Sequence, residues 1–316
     1  MLTLRTSAFG IPEELPDQIC LVDHIEGFDQ HYHNPLLAHI DRYCQQRRRT
    51  IQIHYAEVIE DPVQKLYPNL EFFRTWDAGT KKIFESLLDY HIHPELEYKN
   101  FLCSFNGSPH VSRKLLVAAL ERWGYFNPET CSKNFTYTAD ELDGHLGDYL
   151  EFDQHRFYKR FFIGAHSQEF FKQIHSFGHV RYDHAQNIHG LEHRLTSSFL
   201  QLVSETLATS HHPFVTEKFL YSVVTRGLFL AYAQPGWHRH LEQYWGFRRY
   251  SRIFNYDFDV IENPVDRLVE LLSMISKFSV LSPDDWRDLY EMEHETIEHN
   301  YDHYFSGKYL TYYQQQ

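Results

Sequence analysis

The chain has 316 residues, which suits two domains of about 150 residues each better than a single core. With 42 % hydrophobic and 23 % charged residues it has the composition of a folded protein, not a disordered one, and 16 % aromatics point to large buried rings. A net charge of −13 repels phosphate backbones at long range and disfavours nucleic-acid binding outside a local basic patch.

The opening MLTLRTSAFGIPEELPDQ has no basic stretch followed by an apolar core, so no signal peptide is expected. No apolar run approaches the ~20 residues that span a bilayer. The four cysteines, Cys20, Cys44, Cys103 and Cys131, are widely spaced and form no CxxC, which fits buried thiols in a reducing compartment. The expectation is a soluble cytoplasmic protein.

In chain order, QICLVDHI (18–25) reads as a short buried strand and NPLLAHIDRYCQQRRR (34–49) as a helix. The basic run Gln45 to Arg49 ends that helix, where cations complement the dipole, and this reading stands beside a nucleic-acid patch. TIQIHYAEV (50–58) alternates like a strand, LEFFRTW (70–76) is a third strand, KKIFESLLDY (81–90) a helix, and KNFLCSFNG (99–107) a strand closed by Asn-Gly. A helix follows in HVSRKLLVAALERWGY. Strands alternating with helices predict a parallel sheet covered on both faces. Between 137 and 195 the pattern breaks down into polar, aromatic, His-rich sequence where a linker is expected. Order returns with the strand SSFLQLVSET (197–206), a helix over 216–226, a strand over 228–233 and a Gln234-Pro235-Gly236 turn. The remainder predicts a short helix in HRHLEQYWGF, a strand in RRYSRIF, an amphipathic helix over 263–278 with Asn263 as cap and Pro264 in its first turn, and one long final helix starting at Ser282-Pro283.

In open α/β sheets ligands bind at the carboxyl ends of strands. One predicted strand ends at Ser204-Glu205-Thr206, and about ten residues later a helix opens on Thr216-Glu217-Lys218. A helix N-terminus offers backbone N–H groups and partial positive charge to a phosphate, and Lys218 adds a full charge. Glu217 suits the two hydroxyls of a ribose. The triplet therefore matches a nucleoside diphosphate. The same residues also make an ordinary helix start, with Thr216 as N-cap and Glu217 favourable to the dipole.

The ordered set FLQLVSET, FVTEKFLYSVVTRGLFLAYAQPG and HLEQYWGF resembles the donor-binding half of family 10 fucosyltransferases, and a broader set of viral and bacterial glycosyltransferase-like proteins in which a Thr-Glu-Lys helix precedes a Pro-Gly, a Gly-Phe and an Asp-rich segment. Here those are Pro235-Gly236, Gly246-Phe247 and NYDFDVIENPVDR, and the resemblance covers about 100 residues, from 197 to 300. It implies an α/β protein of GT-B fold: two Rossmann-like domains facing a cleft, an acceptor domain over 1–150, a nucleotide-sugar domain over 151–282, and a helix over 283–316 packing back toward the first. Glu205, Thr216, Glu217 and Lys218 become donor-site residues, with Glu217 on the ribose and Lys218 on the diphosphate. Thr206 stands where the fucosyltransferases carry Asn, which leaves sugar and nucleotide open. Asn106, His110 and Arg113 sit at a strand-to-helix junction that in the broader set holds an Asn, a Pro and an Arg, and Arg113 is expected to reach the diphosphate across the cleft. A surface arginine on a helix is the plainer account of the same residue.

An inverting enzyme of this fold needs a base for the acceptor hydroxyl. Asp23, followed by His24 and Glu26, is the candidate, with His54 and Glu57 in reserve. No cofactor beyond the nucleotide-sugar co-substrate and no metal is expected; the acceptor is a glycan, with a modified DNA base as the alternative. Two competing functions remain in view, a nucleotide-binding module without turnover and a metal-dependent enzyme. The latter would use the 23 histidines, among them the pairs His31/His33, His91/His93 and His238/His240, and His299 with His303 one turn beyond Glu295. Glu291 and His294 supply one Glu-x-x-His of the kind a di-iron bundle needs twice.

Overall fold

The computed structural model describes residues 2–5, 14–22, 30–55, 65–74, 84–94, 97–107, 111–133, 184–205, 208 and 215–310. Two parallel sheets organise them, and each has its own cluster of buried apolar side chains. The α/β class expected from the alternating pattern is what the chain adopts.

The first sheet is built from β1 (Leu2–Arg5), β2 (Gln18–Val22), β3 (Ile51–Tyr55) and β4 (Leu70–Arg74), four strands lying side by side in sequence order. Helix α1 (Gln30–Arg47) connects β2 to β3. It buries Leu37, Ile40 and Cys44 against Ile19, Ile51 and Ile53, residues spaced at helical and strand periods respectively. The basic run serves this packing. Arg47 ends α1, Arg48 takes a left-handed φ of 51°, and Arg49 donates to the Leu15 carbonyl at 2.8 Å and pairs with Asp17 at 3.2 Å. At the other end Asp41 of α1 accepts the Asn69 main-chain N–H at 2.9 Å, just before β4.

The second sheet has the order β6-β5-β7-β8, all parallel. Strand β5 (Asn100–Asn106) leads into α2 (Val111–Trp123) and then β6 (Cys131–Lys133). Helix α3 (His184–Thr196) precedes β7 (Ser198–Ser204), and α4 (Glu217–Val224) joins β7 to β8 (Leu228–Tyr232). Every residue of β7 and β8 is buried, as strands covered on both faces must be. The chain then forms α5 (Trp237–Trp245), a short 3-10 turn (Asp257–Val260), α6 (Pro264–Ser276), α7 (Pro283–Met292) and α8 (His294–Phe305). Local chemistry sets these boundaries. Asn263 caps α6 through the N–H groups of Val265 and Asp266, and Ser282 with Asp285 forms a reciprocal capping box on α7.

Four expectations are corrected. First, a boundary at 150 does not separate the sheets. Strand β5 is hydrogen-bonded to β7, so the change of sheet falls between Arg74 and Asn100. Second, the final helices do touch residues numbered below 150, but these belong to the second sheet's core. The Tyr304 hydroxyl donates to the Phe84 carbonyl, Tyr98 lies beside Tyr290, and Trp286 stacks on Phe199 of β7 at 5.8 Å. Third, the last helix is two helices, broken at Glu293. The buried Glu293 carboxylate accepts the main-chain N–H groups of Arg252 (2.6 Å) and Ile253 (3.2 Å). Fourth, RRYSRIF is not a strand, and this last pair of bonds explains why. Asn300 takes the Arg248 N–H at 2.7 Å and the Tyr256 hydroxyl takes that of Tyr250 at 3.1 Å, so side chains hold the donors that a ladder would have used. Of the helix expected over 81–90, the described part runs as turns from residue 86. Neither β1 nor β6 is among the strands expected from the sequence, and α3 lies in the stretch where the pattern breaks down.

Candidate functional site

In the second sheet the chain moves from β5 outward to β6, then crosses back to β7 and on to β8. The order therefore reverses between β5 and β7. In open parallel sheets, the carboxyl ends of the two strands flanking such a reversal are where ligands bind. The residues at those ends are Asn106 on β5 and Ser204-Glu205 on β7.

Main-chain and side-chain bonds knit this edge together. Asn106 is buried and donates to Ser104 Oγ at 3.2 Å, and Ser104 donates to the Leu202 carbonyl at 2.9 Å, linking β5 to β7. Ser112, in the first turn of α2, donates to the Glu205 carbonyl at 3.1 Å. Arg113 follows it and is buried. Asn106 on β5 thus belongs to the same sheet as Glu205, and Arg113 to α2, a helix bonded to it. The expectation that Arg113 reaches in from a facing domain, or sits on the surface, is corrected by the β5–β7 pairing and by its burial.

Glu205 is 0 % exposed, and its carboxylate lies under the start of α4. One oxygen accepts the Thr216 N–H at 3.1 Å and the other accepts the Thr216 hydroxyl at 2.6 Å. Thr216 is the N-cap of α4, with φ −110° and ψ 176°, and its Oγ1 accepts the Lys218 N–H. Its one hydroxyl proton goes to Glu205, so its lone pairs face Lys218, whose ammonium donates to the same oxygen at 3.1 Å. Lys218 also meets Glu217 at 3.4 Å, the two side chains being 18 % and 20 % exposed. The result is a chain of contacts from Glu205 through Thr216 to Lys218, with Glu217 beside it. Burial pushes the Glu205 carboxyl up to about 7, against the pull of Lys218 and the two Thr216 bonds, with Glu217 adding to the rise.

Glu205, Thr216, Glu217 and Lys218, expected together from the sequence, lie within one hydrogen-bonded group. The ordinary helix start is also present, since Thr216 caps α4. Asp23, His24, Glu26, Glu57, His110 and Thr206 lie outside the described residues. His54 stacks on Phe73 at 5.4 Å in the first sheet. Ser112 was not anticipated. Nor was Arg267, whose guanidinium donates to the carbonyls of Ala233 (3.0 Å) after β8, Glu262 (3.1 Å), Ile261 and Ala208, the last in the connection from β7 to α4. Its one sequence signal is position: it shares the buried face of α6 with Leu268, Leu271 and Ile275.

The histidines go to separate partners. His299 and His303 each donate from Nε2 to a carbonyl at the end of α5, Gly246 at 3.2 Å and Trp245 at 2.7 Å, and burial holds both rings below the usual histidine range. Glu295 instead pairs with Arg252 at 2.7 Å. The Glu295/His299/His303 spacing therefore serves helix packing. His91 meets the Tyr301 hydroxyl at 2.7 Å, and His93 faces Arg226 at 3.4 Å. Of the remaining expected pairs, the side chains of His31 and His33 are outside the described set, and His240 lies against Tyr244. Among the described residues no three His, Cys, Asp or Glu side chains gather as a metal ion requires.

His238 is buried in a network of its own. Its Nε2 accepts the Ala231 N–H of β8 at 2.9 Å, so Nδ1 carries the proton it donates to Asp259 at 2.7 Å. Asp259 also accepts the N–H groups of His238 and Arg239. Burial raises the Asp259 carboxyl, but the His238 ring and these bonds outweigh it and hold the group below its ordinary 3.8. Its contribution to stability is present above that value and is lost as pH falls below it. His238→Phe keeps the ring and strands a main-chain donor of β8. It is expected to lower unfolding stability in urea by about 2 kcal/mol, and a loss under about 0.5 kcal/mol would show the network to be dispensable.

No protein-family model matches this chain, and no curated protein or solved structure is significantly similar to it.

Proposed function

We propose that the protein transfers a sugar from a nucleoside-diphosphate sugar to an acceptor hydroxyl, using a GT-B arrangement in which the second sheet holds the donor. The observation that carries this reading is the composition of the carboxyl edge at the β5–β7 reversal. A helix N-terminus, a lysine in its first turn and an acid beside that lysine stand at the carboxyl edge of a parallel sheet. The α4 N–H groups and the Lys218 ammonium meet the diphosphate, both in the bound donor and as it leaves, when its negative charge grows. Glu217 gives up Lys218 to the phosphates and takes the ribose hydroxyls. Glu205 holds Thr216, and with it the first turn of α4, in place. Asn106 at the end of β5 and Arg113 in the first turn of α2 complete the proposed site. Asp23 is the proposed base for the acceptor hydroxyl, in an inverting displacement that routes no step through a metal. A glycan is the proposed acceptor, with a modified DNA base the alternative.

A thermal-shift series with UDP, GDP, ADP and CMP tests the donor site. At a hundredfold excess over Kd one nucleotide should stabilise the protein by about 2.7 kcal/mol, a rise of roughly 5 °C in Tm. Lys218→Ala should abolish the rise, read against that variant's own nucleotide-free Tm. A flat response of the wild type to all four nucleotides would remove the donor site from the proposal. A shift without any release of sugar from the matching donor would make the protein a nucleotide-binding module and not a transferase.

A further inference from the structure

Among the described residues Glu205 is a buried acid with no direct basic hydrogen-bond partner; both of its oxygens are held by Thr216. The charge that balances it arrives at second hand, from the Lys218 ammonium resting on Thr216 Oγ1 at 3.1 Å. The same ammonium is the group that an incoming phosphate would draw outward. Holding the carboxylate ionised and giving the cation to a ligand are therefore competing uses of one lysine.

We propose that Glu205 takes up a proton when a polyanion binds at the start of α4, so that anion binding at this site is coupled to protonation of the buried acid. The inference rests on the donor-site reading above and adds its regulation by pH. Three features support it. Glu205 is fully enclosed, so loss of its countercharge is not offset by water. Lys218 is the largest influence holding the carboxyl down, while Glu217 acts in the opposite sense, so a net negative ligand can only push the carboxyl further up. Its position is already pushed up to about 7, so the coupling falls in the neutral range. Helix α2 packs against the same strand and brings Arg113 and Lys114, both buried, next to the Ser112 that bonds the Glu205 carbonyl. The groups that set the Glu205 carboxyl are Lys218, Thr216 and Glu217, so the change at Lys218 stands.

Thermodynamic reciprocity sets the observable consequence. If the ligand raises the Glu205 carboxyl by about one pH unit, the ligand binds about tenfold more tightly to the protonated protein. Affinity then declines as pH rises from about 7 to about 8 and levels off above.

Inorganic pyrophosphate is the probe. The side-chain carboxyl carbon of Glu205 is followed by carbon-13 NMR through a pH titration of the wild-type protein, with and without saturating pyrophosphate; loss of the signal in Glu205→Gln assigns it. The expected result is a midpoint higher by about one unit in the bound protein. A calorimetric titration in two buffers of different ionisation heat should show more protons taken up by the wild type than by Glu205→Gln, which removes the probe's own titration from the comparison. Pyrophosphate binding with an unmoved Glu205 midpoint overturns the coupling and leaves the donor site standing. Absence of pyrophosphate binding at any pH from 6 to 9 overturns both.

Discussion

Arg267→Leu is expected to lower unfolding stability by about 4 kcal/mol and to loosen the carboxyl edge of the second sheet. Arg267 is 1 % exposed, and its guanidinium donates to main-chain carbonyls of Ala233, Ile261, Glu262 and Ala208, drawn from three stretches of chain. A planar fork suits this task, since its donors diverge at fixed angles. Leucine fills much of the space but leaves those carbonyls in a dry interior, at about 1–3 kcal/mol each before relaxation. Relief from burying a charge offsets part of the loss, because burial already draws the Arg267 guanidinium below its ordinary range. Arg267→Lys keeps the charge and loses the fork. It should cost about 3 kcal/mol, which separates the geometry of the bonds from the charge itself. The midpoint of urea unfolding reads both variants, and a loss under about 1 kcal/mol in each would refute this account. Because Ala208 lies between β7 and α4, both variants should also weaken the nucleotide-induced rise in Tm.

The elements around this edge are legible where their cause is local. Thr216, ahead of Glu217-Lys218 and the apolar run from Phe219, marks α4, Asn263-Pro264 marks α6, and Ser282 with Asp285 marks α7, because a cap is a bond between residues two or three apart. The uniform apolarity of β7 and β8 reflects burial on both faces. Partnership was not legible. Strand β5 pairs with β7 across nearly a hundred residues, and nothing in either run names the other, so the domain boundary was set too late in the chain. RRYSRIF carries the buried Tyr250, Ile253 and Phe254 that a strand would also bury; its fate was decided by Glu293, Asn300 and Tyr256, which claim its N–H groups from elsewhere. The site divides in the same way. Spacing put Glu205 and Thr216 near one another, as a strand end and the next helix start. Spacing does not reveal that Glu205 spends both oxygens on Thr216, or that Ser112 closes the group from α2. Arg267 did leave a trace, an arginine on the apolar face of an amphipathic helix, but arginines whose stems lie along such faces with the charge in water leave the same one.

The buried acid gives the second large prediction, and its sign is fixed by which form the fold prefers. The Glu205 carboxyl stands at about 7 in the folded protein against an ordinary 4.5 in the unfolded chain. Between those values the folded state holds a proton that the unfolded state has released, so stability declines as pH rises. The contribution is fully present below about 4.5 and is gone above about 7. Its size is about 3 kcal/mol, from roughly 1.4 kcal/mol for each pH unit separating the two. Other groups titrate over the same range, and the comparison that removes them is wild type against Glu205→Gln, whose amide occupies the same space without a proton to lose. Urea unfolding of both proteins from pH 5 to pH 8 should give a stability difference that moves by about 2–3 kcal/mol against the wild type across that span, then stays level. Lys218→Met should carry the decline beyond pH 7, because removing the ammonium takes away the strongest opposition to burial. A difference that stays constant with pH would mean that Glu205 is ionised across the whole range; one that grows in favour of the wild type would mean its charge is held more firmly than in water. Either result would place the balance of burial and Lys218 at this edge on the opposite side from the one its geometry indicates.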